Sequence, residues 1–185
     1  IKYKKSLTNK STGELTTVVE AAIEAQFNSD LNEFGSTLRY SGIVASIDNA
    51  EASIISNVTT IQMSRRFLKD STNTAGIYEI QYYNKIIPGT VVSSTIVKTD
   101  VADYAIMDDG LGVMTLYNIT AQAFENINMG TVDYTTGKIE LNGFLTEIDI
   151  NQSISIYAAP EDTDISSEKN LLILFDSATI EATPI

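Results

Sequence analysis

The chain of 185 residues contains no cysteine, no histidine and no tryptophan, and it has only three prolines. Without cysteine there is no disulfide, no thiolate nucleophile and no thiolate metal ligand. Without histidine there is no Ser-His-Asp triad and no imidazole metal ligand, and haem held by either residue is excluded. Metal-independent catalysis would have to use carboxylates, lysine or tyrosine. We expect no cofactor and no bound metal.

Long apolar runs and a basic surplus are also missing. No run approaches the roughly 18 apolar residues that indicate a membrane helix, and no basic start followed by an apolar stretch marks a signal peptide. The chain holds 12 Lys+Arg and 24 Asp+Glu, a net charge of −12, which disfavours nucleic acid and anionic membranes as partners. It begins at Ile1 rather than Met, and we interpret it as a piece of a longer polypeptide.

Charge divides the sequence into two predicted domains. Residues 1–72 hold 8 Lys+Arg and 8 Asp+Glu, whereas residues 73–185 hold 4 and 16. Between them lies the polar stretch 70–76, which ends in glycine and is typical of a linker. We predict an α+β domain over residues 1–72 and a β-rich domain over residues 73–185.

The first predicted domain mixes helix and strand. Apolar residues recur at helical spacing and predict a helix over about residues 14–34, with Gly35 as its C-terminal cap. Ser41 is suited to cap a short second helix over about residues 42–49. The run from Ser53 to Phe67, rich in Ile, Val and Thr, predicts one long strand over about residues 53–67.

The second predicted domain consists of consecutive short strands separated by turn signals. Such a pattern is typical of an antiparallel sandwich or barrel. The fold class is therefore α+β, a small mixed α/β domain followed by an antiparallel all-β sandwich or barrel-like domain. The clearest hairpin spans residues 131–141, where Gly137 suits a left-handed turn position. The predicted strands are 77–83, 91–97, 104–107, 112–119, 130–134, 138–141, 147–150, 153–158, 171–175 and 179–182.

Two acidic stretches are candidate cation or acid–base sites. Asp108-Asp109-Gly110 has the composition of an acid pair, but Asp-Gly is also a very common turn, and we favour the turn. In the stretch from Glu161 to Asp164, counting Asp162 as the first EF-hand position puts serine where glycine is needed and isoleucine where the bidentate glutamate belongs. We therefore interpret this stretch as a solvated loop. No pair among the other acids singles itself out for glycoside hydrolysis.

Three further motifs have simple interpretations. The stretches 57–59 and 118–120 match the glycosylation pattern at close to chance frequency. Tyr82 and Tyr83 fall on opposite faces of a strand, so we expect one in the core and the other at a partner surface. The pair 65–66, two arginines, fits a solvated strand end, with an acidic neighbour as the alternative. The residues alone indicate a binding or structural module without visible chemistry.

Five stretches, in order, carry a family resemblance. They are residues 18–27 with 31–35 and 38–41, residues 56–60, residues 86–89 with 108–112, residues 130–139, and residues 160–165 leading to 170–174. Together they resemble the baseplate wedge protein of contractile-tailed (myovirus-type) bacteriophages, the gene product six family within the baseplate J-like group. Their order agrees with the C-terminal portion of that family, and together they span most of the chain.

The resemblance implies a structural protein of the virion. Such a protein forms part of the wedge around the central hub, pairs into dimers and joins an inter-wedge ring that rearranges when the tail contracts. It implies partners that are wedge proteins and further copies of the chain, assembly in the host cytoplasm, and no enzymatic activity. No catalytic, cofactor-binding or metal residue is transferred, and the interface residues are unknown. We expect the dimer patch in residues 1–72, where the charges balance.

Two other classes stay open on the sequence. One is an extracellular acidic β-domain of a bacterial adhesin or surface-layer protein, against which the helical first part argues. The other is a carboxylate-based carbohydrate-active enzyme.

Overall fold

The computed structural model of the chain describes residues 1–31, 33–69, 77–98, 101–142, 152–168 and 172–185. The regular structure of the described residues is mostly strand, with two α-helices, which confirms a broadly α+β fold. The elements are β1 (Lys2–Tyr3), a short 3₁₀ helix (Lys5–Leu7), α1 (Thr12–Asp30), β2 (Thr37–Leu38), α2 (Tyr40–Asn49), β3 (Ile54–Ser56), β4 (Met63–Lys69), β5 (Tyr78–Gln81), β6 (Val92–Ser93), β7 (Ile96–Lys98), β8 (Val101–Asp108), β9 (Val113–Asn118), β10 (Ala123–Asp133), β11 (Lys138–Leu141), β12 (Gln152–Ala158), β13 (Ile165–Ser166) and β14 (Thr183–Pro184).

The chain forms two compact units. The mixed unit consists of Ile1–Thr60 and Thr163–Ile185, and the β unit consists of Ile61–Asp162. This division differs from the predicted domains, because β4 belongs to the β unit and the last 23 residues belong to the mixed unit. The predicted linker at residues 70–76 lies outside the described residues.

Helix α1 begins at a capping box. The Ser11 hydroxyl accepts a hydrogen bond from the backbone N–H of Glu14, and the Glu14 carboxylate accepts one from the backbone N–H of Ser11. Two otherwise unpaired N–H groups of the first turn are satisfied in this way. Leu15, Val19 and Ile23 then form one buried stripe, and α1 packs against α2.

Helix α1 ends four residues before the predicted end. The backbone N–H of Leu31 donates to the carbonyl of Phe27 and closes the last turn. The helix stops here because residues 28–30, Asn-Ser-Asp, have low helix propensity and compete for backbone hydrogen bonds. Gly35 adopts a φ of +77° in the loop beyond, so it does not cap the helix as predicted.

The predicted long strand 53–67 is wrong, because residues 57–62 form no strand between β3 and β4. The Asn57 amide donates to the Asp48 carboxylate over 2.6 Å and to the Val44 carbonyl over 3.3 Å. The Tyr40 hydroxyl donates to the Thr59 carbonyl over 3.0 Å. These bonds tie residues 57–59 to α2, and they replace the ladder hydrogen bonds of a strand.

The C-terminal segment completes the mixed unit. Strand β14 pairs in parallel with β1, which also pairs with β3, and β13 pairs with β2. The Phe175 ring lies 5.2 Å from the Phe27 ring of α1. The predicted strands 171–175 and 179–182 are wrong over their described residues, since residues 172–182 form no strand.

The β unit is built on one nine-stranded antiparallel sheet. The order is β4-β12-β6-β8-β9-β10-β11-β5, and β7 pairs with β8 beside this path. Buried residues alternate with partly exposed ones along β9, β11 and β12, as expected for a sheet with one face in the core. The predicted strand 147–150 lies outside the described residues.

The two ends of this sheet approach each other, so that it nearly closes into a barrel. Phe67 of β4 and Tyr78 of β5, the two edge strands, have ring centroids 5.0 Å apart. The predicted hairpin is confirmed: β10 and β11 pair through Asp133 and Lys138, and Gly137 has a φ of +69°.

Candidate functional site

A buried carboxylate holds three loops of the β unit together. Asp108, at the end of β8, is only 4% exposed. Its Oδ2 accepts hydrogen bonds from the Gly89 N–H and the Tyr134 hydroxyl, both over 2.8 Å, and its Oδ1 accepts one from the Val91 N–H over 3.2 Å. Three donors thus compensate the cost of burying this charge. We call this arrangement the Asp108 junction.

Tyr134 adds two more hydrogen bonds between the same three segments. Its hydroxyl accepts a hydrogen bond from the Gly112 N–H over 3.1 Å, and its carbonyl accepts one from the Ile86 N–H over 2.8 Å. Burial raises the pKa of Tyr134 to about 12, and the hydrogen bond to Asp108 and its negative charge act in the same direction. The hydroxyl therefore keeps its proton at neutral pH and donates it to Asp108.

The neighbouring Asp109 shapes the turn between β8 and β9. Its Oδ1 accepts hydrogen bonds from the Val113 N–H over 3.0 Å and the Leu111 N–H over 2.7 Å. These bonds hold the pKa of the Asp109 carboxyl below its usual value. The interpretation of Asp108-Asp109-Gly110 as a turn is confirmed, with Gly110 at a φ of +77°.

The junction joins the third and fourth of the five stretches that carry the resemblance. Residues 86–89, 108–112 and 130–139 lie far apart in sequence, and the hydrogen bonds of Asp108 and Tyr134 bring them together. The sequence marks each of them as a turn or hairpin. The pairing of the turns depends on strand order and register, which turn residues alone do not reveal.

The acidic stretch after Pro160 has a structural use. The Asp164 carboxylate accepts a hydrogen bond from the backbone N–H of Tyr40 over 3.0 Å, at the start of α2, where Arg39 provides no side-chain cap. The predicted cap Ser41 lies inside the helix, so a residue distant in sequence takes its place. Glu161 lies 3.9 Å from the Lys85 ammonium. Within the described ranges, no three acidic side chains gather where they could hold a metal ion.

Tyr82 and Tyr83 separate as predicted. Tyr82 is buried and donates from its hydroxyl to the Ile156 carbonyl over 2.6 Å, whereas Tyr83 is half exposed. Tyr83 also has a φ of +59°, which is rare for a large side chain. Its contact with a partner stays a prediction.

The remaining candidate motifs lie in ordinary surroundings. Arg66 is exposed and its Nε lies 3.4 Å from the Ser155 hydroxyl. The Asn118 side chain accepts a hydrogen bond from the Ala121 N–H, which closes the turn after β9. Neither helix of the described chain has the length and apolarity that a membrane crossing requires. The Arg66 and Asn118 side chains therefore make local structural contacts.

The first part of the chain matches a known protein family. Residues 1–66 match the family described as baseplate structural protein gp6, C-terminal domain III. The matched range holds α1, α2, β1 to β3 and the first part of β4. No curated protein matches the chain. Over residues 1–66 the match confirms the resemblance to the C-terminal portion of this family.

Proposed function

We propose that this chain is part of the wedge of a phage tail baseplate and contributes to the inter-wedge ring around the hub through protein–protein contacts. The observation that carries the proposal is the family match over residues 1–66. The stretches of the resemblance beyond residue 66 support it, because their residues make structural hydrogen bonds. Asp108 joins turns of the β unit, and Asp164 caps α2 in the mixed unit. The chain is then a component of the virion that assembles in the host cytoplasm.

The proposal includes self-association into dimers. Exposed apolar side chains favour such contacts because their burial removes apolar surface from water. The mixed unit exposes Leu7, Phe34, Val58 and Leu174, with Val58 94% exposed. A net charge of −12 opposes casual association, so a dimer needs a localised patch of this kind.

The proposal also holds that the chain is not an enzyme. The family is one of structural proteins. The carboxylates that looked most reactive in the sequence, Asp108, Asp109 and Asp164, accept hydrogen bonds from backbone N–H groups. Carboxylates held in this way fix loops, which suits a structural role better than proton transfer.

Quantitative mass spectrometry of purified virions and isolated baseplates tests the proposal. We expect the chain in baseplates, at a fixed ratio to the other wedge proteins, and absent from purified heads. A chain found only in infected-cell lysate, and in no particle, would refute the baseplate role. The comparisons give the adhesin and surface-layer alternative no support.

A further inference from the structure

One end of the β unit presents apolar side chains on tightly held turns. We call it the loop end, formed by residues 83–90, 109–112, 133–137 and 159–161. Its exposed apolar residues are Leu111, Tyr83 and Ile87, which are 88%, 50% and 41% exposed. Exposed aromatic and aliphatic side chains on a rigid support are typical of binding anchors, because little conformational entropy is lost on binding.

Hydrogen bonds between the turns provide this rigid support. The Leu111 N–H donates to Asp109, and the neighbouring Gly112 N–H donates to Tyr134. A Cβ built on Gly89 would lie 4.0 Å from the Cα of Gly110, so the turns of Ile87 and Leu111 are in contact. Leu111 is therefore held in place by the chain on both sides while its own side chain points at solvent.

The loop end is also acidic. Asp109, Asp133 and Glu161 are exposed there, and the pKa of both aspartates is lowered, chiefly by a hydrogen bond from the Val113 N–H to Asp109 and from the Thr136 side chain to Asp133. Lys85 offsets one of these charges through its ion pair with Glu161. A complementary partner would offer lysines around an apolar residue.

The first ten residues of the chain supply such lysines. They contain Lys2, Lys4, Lys5 and Lys10, four of the 12 basic residues of the protein, and the first acidic residue is Glu14. Lys2, Lys4 and Lys5 are exposed and Lys10 is partly exposed. Among the described residues, none of the four takes part in an ion pair. By contrast, Lys85, Lys98 and Lys138 of the β unit are each paired with glutamate.

An apolar residue lies among these lysines. Leu7 is 59% exposed in the short 3₁₀ helix that follows Lys4. Strand β1 is fixed by pairing with β3 and β14, so the lysines stand on an ordered support. This segment therefore matches the loop end both in charge and in its exposed apolar group.

We propose that the loop end of one copy binds residues 1–10 of a second copy, so that successive copies associate head to tail. This inference rests on the proposed function, since it names the surfaces by which copies of a baseplate protein would join. A contact between two different surfaces is heterologous, and it builds a closed ring or an open filament of copies. A two-fold contact instead stops at the dimer.

Two variants of the chain distinguish a heterologous contact from a two-fold contact. L111D removes the apolar anchor of the loop end but keeps residues 1–10. K2E/K4E reverses two charges of the N-terminal segment but keeps the loop end. Matched controls are L68D, an exposed apolar site of the β unit outside the loop end, and R39E/R66E, which changes the net charge as much as K2E/K4E does.

Fluorescence anisotropy of labelled chain, titrated with unlabelled chain at about 0.1 M NaCl, measures each pairing. We expect self-binding of L111D and of K2E/K4E to weaken by about tenfold or more, while both controls bind as the wild type does. Labelled K2E/K4E should bind unlabelled L111D with wild-type affinity and at one to one, because that pair retains one intact loop end and one intact lysine segment. Raising NaCl to about 0.5 M should weaken the wild-type contact.

The other outcomes overturn the inference in distinguishable ways. If the wild type forms a dimer that both altered chains also form with full affinity, the head-to-tail contact is wrong and self-association as proposed above stands. If the wild type stays monomeric at every concentration, the contact and the self-association both fail, while the baseplate role is still decided by the particle composition. If K2E/K4E binds L111D no more tightly than each variant binds itself, the contact is not heterologous.

Discussion

Asp108 organises more of the β unit than any turn motif indicates. A buried carboxylate is costly unless hydrogen-bond donors surround it, and here the donors come from the 86–91 turn and from the β10–β11 hairpin. Breaking such a set by removing one partner leaves the remaining groups unpaired, which costs more than one average hydrogen bond. The junction is therefore the most sensitive polar point that we find in this unit.

Tyr134→Phe tests the junction. The change removes the donor to Asp108 Oδ2 and leaves the Gly112 N–H without its acceptor. We expect the free energy of unfolding to fall by about 1–3 kcal/mol, because a buried carboxylate and a backbone N–H both lose a partner. Urea denaturation at pH 7 measures this. A loss no larger than that of Tyr83→Phe, whose side chain is half exposed, would show that the junction contributes nothing.

The same residue predicts a pH dependence. The pKa of Tyr134 rises from 10.0 to about 12 in the folded protein, so the folded state holds this proton more tightly than the unfolded state does. The contribution of Tyr134 to stability is thus complete below pH 10 and is lost as the pH rises towards 12. We expect the difference in unfolding free energy between wild type and Tyr134→Phe to shrink over this range. The pKa of Tyr82 is also raised by burial, but its titration is common to both proteins and cancels.

Gly137 closes the β10–β11 hairpin with a φ of +69°. A Cβ at this position would overlap the carbonyl oxygen of Asn84 as well as strain the backbone. We expect Gly137→Val to lower the unfolding free energy by about 2–4 kcal/mol. Gly13 is the control, because a Cβ there meets nothing within 4 Å, and Gly13→Ala should raise helix stability by up to about 1 kcal/mol. Equal denaturation midpoints for Gly137→Val and wild type would contradict the hairpin geometry.

For individual residues, the sequence predicts backbone conformation better than it predicts hydrogen-bond partners. The positive φ of Gly137 and the Asp109 turn follow from rules that involve only neighbouring residues, and both are confirmed. The bonds from Asp108 to Gly89 and Tyr134 span 19 and 26 residues. Such contacts depend on how the sheet orders its strands, and no local pattern encodes that order.

Among the elements, α2 shows a helix whose start depends on a remote residue. Arg39 precedes it without a side-chain cap, and Asp164 supplies the acceptor for the Tyr40 N–H. The apolar spacing through Ile43 and Ile47 predicts the helix itself, and both side chains are buried. The position of its first turn is fixed by tertiary structure, which explains why Ser41 was the wrong cap.

Asp164→Ala should remove this cap. We expect a loss of about 0.5–2 kcal/mol in unfolding free energy, the range measured for N-terminal caps. Asp162→Ala is the matched control, because Asp162 is an exposed acid two residues away and the described structure gives it no hydrogen bond or ion pair. Thermal unfolding followed by circular dichroism at 222 nm reports the helix. If the two changes have the same effect, general charge and not capping is responsible.

The run 53–67 shows the limit of propensity for strands. Its Ile, Val and Thr content favours extended structure throughout, yet the chain changes from the mixed unit to the β unit between Thr60 and Ile61. Asn57 and the Thr59 carbonyl instead form hydrogen bonds with Asp48 and Tyr40 of α2. A boundary that falls between two β-branched residues, Thr60 and Ile61, leaves no mark in composition.

For the whole molecule, the order in which the chain enters the two units explains why the charge pattern predicts a boundary at residue 72 instead. The mixed unit holds 6 Lys+Arg and 11 Asp+Glu, and the β unit holds 6 and 13. The acidic excess is therefore shared between the units, since residues 163–185 return to the first one. A composition scan that moves along the chain cannot detect such a return, because it compares only sequence neighbours.

This path leads to a prediction about fragments. In residues 1–72 alone, β1 lacks its partner β14, β2 lacks β13, and α2 lacks the Asp164 cap. We expect this fragment to show no cooperative unfolding, whereas residues 61–162 retain every pairing of the nine-stranded sheet and should unfold cooperatively.

Circular dichroism during urea titration measures both fragments. Adding a peptide of residues 163–185 to residues 1–72 should restore a cooperative transition, because it supplies β13, β14, the Asp164 carboxylate and the Phe175 ring that packs on Phe27. The same peptide should leave residues 61–162 unchanged, since its partners lie in the mixed unit. Cooperative unfolding of residues 1–72 without the peptide would instead support the division at residue 72 that the charge pattern predicts.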